Sequence, residues 1–225
     1  MKQYDVIIIG TGSANIIADA ALRQGLRIAI IERGPFGGTC LNRGCIPTKV
    51  MVTAANAVRD MFHSQHIGVT ASHVQLDWQV MSRRLWKKVH ENVGIKTYYN
   101  QFPNIDIYEG TAAFCGPKEV TVTLHNSKTQ TLRGEKIFIG VGARTAIPDL
   151  PGLEDTGYIT SETLFGNAYP KKPYKSLIII GGGPIGCEFA HVFSTAGTKV
   201  TLIQHNVRLL PKEDEDIAAF LLQQF

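Results

Sequence analysis

One unit is written twice in this chain, and it limits the fold more than any other feature. A short apolar run leads into a glycine-rich turn, a helical stretch, and a second apolar run. The first copy is Asp5-Val6-Ile7-Ile8-Ile9, then Gly10-Thr11-Gly12-Ser13-Ala14-Asn15. A helical stretch from Ile16 to Gln24 closes at Gly25, and Arg27 to Ile31 returns as a strand ending at Glu32. The second copy is Leu177-Ile178-Ile179-Ile180, then Gly181-Gly182-Gly183-Pro184-Ile185-Gly186. Its helix runs from about Pro184 to Ala196 and closes at Gly197, with Lys199 to Ile203 as the returning strand. Unbroken apolar runs of this length read as strands buried on both faces, which is the habit of parallel sheets. The expected fold class is therefore α/β, with two Rossmann-like dinucleotide-binding units.

The turn has a chemical purpose. Its first glycine permits the tight bend and its second lets a pyrophosphate approach the backbone. The N-terminus of the following helix supplies unpaired N–H groups and positive potential. In the first copy these positions are Gly10 and Gly12, with Ser13 beside them. Glu32 stands where an acid receives the ribose hydroxyls. Asn15 replaces the third glycine, which implies a slightly wider approach of helix to strand. In the second copy Gly181, Gly183 and Gly186 are all present, and Gln204 stands at the ribose position. Two copies suggest two dinucleotides, as electron transfer between cofactors requires.

Between the copies the pattern changes. Residues 48–65 and 76–94 read as helices. Residues 105–142 read as short strands, Ile105–Gly110, Val120–Leu124 and Lys136–Gly140, separated by polar turns: a small β-meander insertion. Pro148, Pro151 and Gly152 mark a crossing into a second domain. The expected organisation is one domain over 1–147 and another over 148–225. Hydrophobic content of 44% and a net charge of +4 are ordinary for a globular protein. The basic run Arg83, Arg84, Lys87, Lys88 reads as a solvated helix face, so no nucleic-acid partner is expected. No window approaches the roughly 20 apolar residues of a membrane span, and no secretory signal opens the chain. A cytoplasmic location is the expectation.

The most informative stretch is Gly37-Gly38-Thr39-Cys40-Leu41-Asn42-Arg43-Gly44-Cys45-Ile46-Pro47-Thr48-Lys49. Two close cysteines in such a compartment read as catalytic, regulatory or metal-binding. In a regular helix a five-residue separation spans about 7.5 Å along the axis. A disulfide needs Cα atoms roughly 4.4–6.8 Å apart. Bridging would place Cys40 in an irregular or tight segment leading into the helix of Cys45, with Gly44 supplying the backbone freedom. Lys49, one turn beyond Cys45, can share its face and help to hold a thiolate. The remaining cysteines, Cys115 and Cys187, lack finger-spaced partners, so no metal is expected and both read as small core residues.

This stretch resembles the active-site signature of the class I pyridine nucleotide–disulfide oxidoreductases, a family that includes dihydrolipoyl dehydrogenase, glutathione reductase, mycothione reductase and mercuric reductase. The similarity covers essentially the whole chain, in the family's order of motifs. Ile137 to Arg144, with Gly142, resembles a second flavin-contacting segment that usually ends Ala-Thr-Gly-Ser. The resemblance implies that FAD occupies the first unit and NAD(P) the second. It implies that NAD(P)H reduces FAD and that reduced FAD opens a Cys40–Cys45 disulfide. Cys45 would be the thiol beside the flavin and Cys40 the interchange thiol facing a small-molecule disulfide or dithiol. Lys49 would lie near the flavin and pair with Glu188, and Gly38 and Thr39 would contact the FAD phosphates.

A dihydrolipoyl dehydrogenase-like activity is the leading expectation. The alternatives are a mycothione- or glutathione-type reductase and a non-catalytic flavin-binding redox sensor. Asp19 and Ala20 occupy the region where glutathione reductases carry arginine, which counts against glutathione. Gln204 is neither acid nor arginine, so weak discrimination between NADH and NADPH is expected, with Arg208 and His205 tilting it toward NADPH. The second unit offers two strands where a dinucleotide-binding half needs about three. The family's His–Glu pair and its later Gly-Asp segment have no counterpart. The chain is therefore expected to be the N-terminal part of a longer, homodimeric enzyme and to be inactive alone.

Overall fold

The computed structural model describes residues 1–225. In chain order its elements are β1 (Lys2–Ile9), α1 (Asn15–Arg23), β2 (Ile28–Glu32), α2 (Gly38–Arg43), α3 (Cys45–His63), α4 (Trp78–His90) and α5 (Val93–Tyr99). There follow β3 (Ile105–Gly116), β4 (Glu119–Leu124), β5 (Thr129–Ile139), α6 (Ser161–Leu164), β6 (Ser176–Ile180), α7 (Pro184–Thr195), β7 (Lys199–Ile203) and α8 (Glu215–Gln223). By contact they form two compact units: Met1–Cys45 with Lys88–Tyr158, and Ile46–Lys87 with Ile159–Phe225. This grouping does not follow the linear division 1–147 and 148–225, because residues 46–87 belong with the second unit. No helix is long and apolar enough to cross a membrane.

In the first unit β1 pairs in parallel with β2 and β5, and β2 in parallel with β3. Strand β4 pairs antiparallel with both β3 and β5, so the ladder order closes on itself. Strands β3 and β5 are longer than the sequence pattern suggests, at 12 and 11 residues. Each spends one part in the parallel sheet and another in the meander, where Thr and charged residues hide strand character behind polar side chains. The apolar runs of β1 and β2 bury both faces. Val6, Ile8, Ile28 and Ile30 pack with Ala18 and Ala21 of α1 and with Tyr99. Ile7, Ala29 and Ile31 pack with Val120, Val122 and Leu132 of the meander. Each such buried Ile or Val contributes about 1.5–3 kcal/mol.

At the far end of the first sheet, Tyr4 Oη donates to Asp106 Oδ2 at 2.6 Å and lies 2.5 Å from Tyr108 Oη. That hydrogen bond, with Lys2 and Arg27 nearby, holds the Asp106 carboxyl below its ordinary range, while burial pushes the Tyr4 phenol up.

The second unit holds a two-stranded parallel sheet, β6 with β7, with Ile178 opposite Thr201 and Ile180 opposite Ile203. Its core is aromatic. Trp78 stacks on Tyr169 at 5.9 Å and meets Phe193 at 5.5 Å, and Trp86 meets Tyr169 edge-on. Trp78 Nε1 donates to the Pro170 carbonyl, so the buried indole is satisfied. These contacts explain why Trp78 to Lys87 of α4 group with this unit.

Candidate functional site

The first glycine turn is built by close approach. Gly10 has φ +96°, and a β-carbon there would stand 2.3 Å from the Gly140 carbonyl oxygen. A β-carbon on Gly140 would in turn stand 2.5 Å from that of Ala14. Glu32 ties the turn down from the end of β2. Its Oε2 accepts from Thr11 N at 2.8 Å and Thr11 Oγ1 at 2.7 Å, and its Oε1 accepts from Gly34 N at 2.8 Å. Three of the carboxylate's roughly four lone-pair directions are thus taken by the protein. Glu32 shapes the loop first and has limited capacity left for a ribose. Asn15 Nδ2 donates to the Thr11 carbonyl at 2.8 Å, so the residue in the third glycine's place fastens the turn from the helix side.

The cysteine segment follows. Gly37 and Gly38 have φ of +99° and +64°, and a β-carbon on Gly38 would lie 2.6 Å from Gly12 Cα. The two backbones therefore touch where the fingerprint puts its phosphates. Cys40 lies in the short helix α2, a tight segment that leads into the helix of Cys45. Buried Asn42 stabilises this turn by donating to the Phe36 and Gly38 carbonyls at 2.8 and 3.0 Å. The break falls at Gly44, where a β-carbon would stand 3.1 Å from Thr39 O and 3.5 Å from Cys40 Cα. Gly44 thus lets the chain fold back on Thr39 and Cys40 before Cys45 opens α3. Both cysteines are exposed thiols.

The second turn closes differently. A β-carbon on Gly186 would lie 1.9 Å from the Gly181 carbonyl oxygen, so only glycine fits. Space in front of Gly181 and Gly183 is open. Gln204 Oε1 accepts from Gly182 N at 2.7 Å, the role Glu32 plays in the first turn, and its Nε2 donates to Arg208 O. Arg208 itself pairs with Glu215 at 2.6 Å and donates to the Glu213 carbonyl. Its charge is directed at the start of α8. Within the same unit Lys49 Nζ pairs with Glu188 Oε1, as the signature implies. Cys187 is buried, and its thiol donates to Gly182 O; burial and the Glu188 charge push its pKa up.

The family model for pyridine nucleotide-disulphide oxidoreductases matches residues 4–225. This chain belongs to that family. It is 34% identical over 214 residues to dihydrolipoyl dehydrogenase of Bacillus subtilis, covering 94% of this chain and 46% of that protein. It is 36% identical over 220 residues to mycothione reductase of Mycobacterium tuberculosis, covering 96% of this chain and 47% of that one. Among solved structures it is similar to the Cu(II) complex of the HOCl-induced flavoprotein disulfide reductase RclA from Escherichia coli. There the TM-score is 0.81 and the identity 34%, over 100% of this chain and 48% of that one. The chain spans about half the length of these relatives.

Seen as a member of the pyridine nucleotide-disulphide oxidoreductases, the first unit brings Gly10, Gly12, Ser13, Asn15, Glu32, Gly38, Thr39 and Cys40 around one turn. Gly142 lies beyond β5, exposed with φ +69°. The second unit gathers Gly181, Gly183, Gly186 and Gln204 around the other turn, with Lys49 on Glu188. No sequence signal marks Thr11, which is fully buried and also accepts from Gly37 N, because the second position of the turn varies freely. Asn42 and the polar contacts of His191 were equally silent. Both turns fit a dinucleotide. Each presents open or backbone-lined space at its second glycine, bounded by a glycine whose β-carbon would obstruct it.

Proposed function

We infer that the chain belongs to a flavin- and NAD(P)-dependent dithiol/disulfide oxidoreductase acting on a small-molecule disulfide or dithiol, most closely of the dihydrolipoyl type. The observation that carries this reading is the Thr39–Cys40–Gly44–Cys45 fold-back, which holds two exposed thiols on either side of a tight break at Gly44. Gly10, Gly12, Ser13, Asn15, Glu32, Gly38, Thr39 and Gly142 would hold FAD. Gly181, Gly183, Gly186 and Gln204 would hold the nicotinamide dinucleotide. FAD, when bound, supplies two-electron traffic between nicotinamide and sulfur.

The protein's own part is thiol chemistry. Oxidation of Cys40 and Cys45 to a disulfide releases two electrons and two protons, and the reverse step consumes them. Lys49, held by Glu188, provides fixed positive charge one turn from Cys45 on α3. Gln204 carries no charge to repel or attract a 2′-phosphate, which supports use of either coenzyme. A homodimer of the longer protein is part of the same reading. Thiol titration tests its centre. Oxidised and reduced protein should differ by two reactive groups, and four titratable thiols in the oxidised protein would overturn the assignment.

A further inference from the structure

Helices α3 and α7 meet at more than the Lys49–Glu188 pair. Two turns along α3 from Lys49 stands Asn56, with Arg59 three residues further on. One turn along α7 from Glu188 stands His191, on the same face. His191 Nε2 lies 2.7 Å from Asn56 Oδ1, and His191 Nδ1 lies 3.4 Å from Arg59 Nη1. A guanidinium only donates, so Nδ1 accepts and Nε2 carries the proton given to Asn56. Arg59 Nη2 also donates to the Gln224 carbonyl at 2.7 Å, which fixes the guanidinium that faces the imidazole.

We propose that His191 is a positioning residue, which with Asn56 and Arg59 forms a second clamp between α3 and α7 and seats Glu188 on Lys49. The physical need is clear. Lys49 is a point charge on a flexible stem with a half-exposed side chain, and such a pair is weak by itself. One contact leaves a helix able to swivel about it. Two contacts on the same faces do not, and imidazole has only two side-chain torsions to lose. The clamp rests on the proposed function only for its consequence in redox chemistry, since its geometry lies wholly within the second unit.

The readout is the rate at which acetic anhydride modifies Lys49 in the 225-residue chain, followed by mass spectrometry. E188Q should raise that rate about threefold, the scale of an exposed ion pair. H191L should raise it by a similar factor, and H191Q, whose amide can donate to Asn56, should restore most of the protection. H191L should add nothing in the E188Q background. N56L, which removes the acceptor from the other helix, should match H191L and serves if H191L folds poorly. Unchanged Lys49 reactivity in natively folded H191L and N56L would overturn the clamp, as would an equal increase in the E188Q background. Failure of the proposed function would appear in the thiol count and leave these rates as expected; failure of the clamp would leave the thiol count untouched.

Discussion

The two glycine turns share one sequence pattern and close it by different means. In the second, Gly186 lets the helix run directly against the Gly181 carbonyl, and α7 starts at Pro184, three residues after the first glycine. In the first, Asn15 has a β-carbon where none fits that arrangement. The chain makes tight turns through Ser13 and Ala14, with Asn15 N bonding to Gly12 O and Ile16 N to Ser13 O. Helix α1 then starts at Asn15, five residues after Gly10. The lost close approach is offset by polar fastening. Thr11 hooks the Glu32 carboxylate and the Asn15 amide holds the Thr11 carbonyl, while Gly140 leaves room for Ala14. The second turn depends on one steric fact and the first on a network, so they should fail differently.

The largest expected effect is at Gly186. G186A forces a methyl group into the Gly181 carbonyl and should cost the second unit about 3 kcal/mol. Both tryptophans, Trp78 and Trp86, lie in that unit, so urea unfolding followed by tryptophan fluorescence reads it selectively. The matching N15A substitution, read by hydrogen exchange in the first turn because the first unit holds no tryptophan, should cost only about 1 kcal/mol, one hydrogen bond. Equal losses at the two positions would break the contrast.

A coupled pair sharpens the first turn. G140A alone drives a β-carbon against Ala14 and should cost about 2 kcal/mol. Adding A14G should recover more than half of that, because the clash needs both side chains. Additive losses in a double-mutant cycle would show that Gly140 matters for another reason. E32Q comes next, at about 1–2 kcal/mol, because an amide NH₂ would face either the Thr11 or the Gly34 N–H donor. Q204E should cost less, since one oxygen still accepts from Gly182 and the other faces the Arg208 carbonyl only across a long 3.4 Å contact. Hydrogen exchange at Thr11 and Gly34 against that at Gly182 separates the two.

The smallest effect is with pH. Burial, and then the Arg59 charge, hold the His191 pKa below the ordinary 6.5. The unfolded chain therefore binds the proton more readily than the folded one between those values. Stability from this group is fully present above pH 6.5 and is lost as pH falls through the folded value. Arg59 from α3 is the charge that faces it. The urea midpoint of the second unit should fall on moving from neutral to mildly acidic pH, and H191Q should flatten that dependence.

Much of this molecule is legible in its sequence. Both strand–turn–helix–strand units, the helices near 48–65 and 76–94, and the meander follow from periodicity and glycine placement, which are local properties. The cysteine signature marks the redox segment because few other chemistries need that run of residues. Strand length in β3 and β5 was not legible, since a strand that changes partners midway also changes the pattern of its exposed side chains. The grouping of residues 46–87 with the second unit was not legible either, because it depends on aromatic rings meeting across about 90 residues of chain.

The two turns, the cysteine pair and the lysine one turn beyond it are each set by residues within a few positions of one another, so they can be read before any folding is considered. That Glu32 and Gln204 hold their loops, that Arg208 pairs with Glu215, and that His191 faces Asn56 and Arg59 emerges once the chain is folded. Those roles rest on hydrogen bonds between residues distant in sequence or on choices among several donors nearby. No spacing rule encodes which partner a side chain finds once the backbone has brought several within reach.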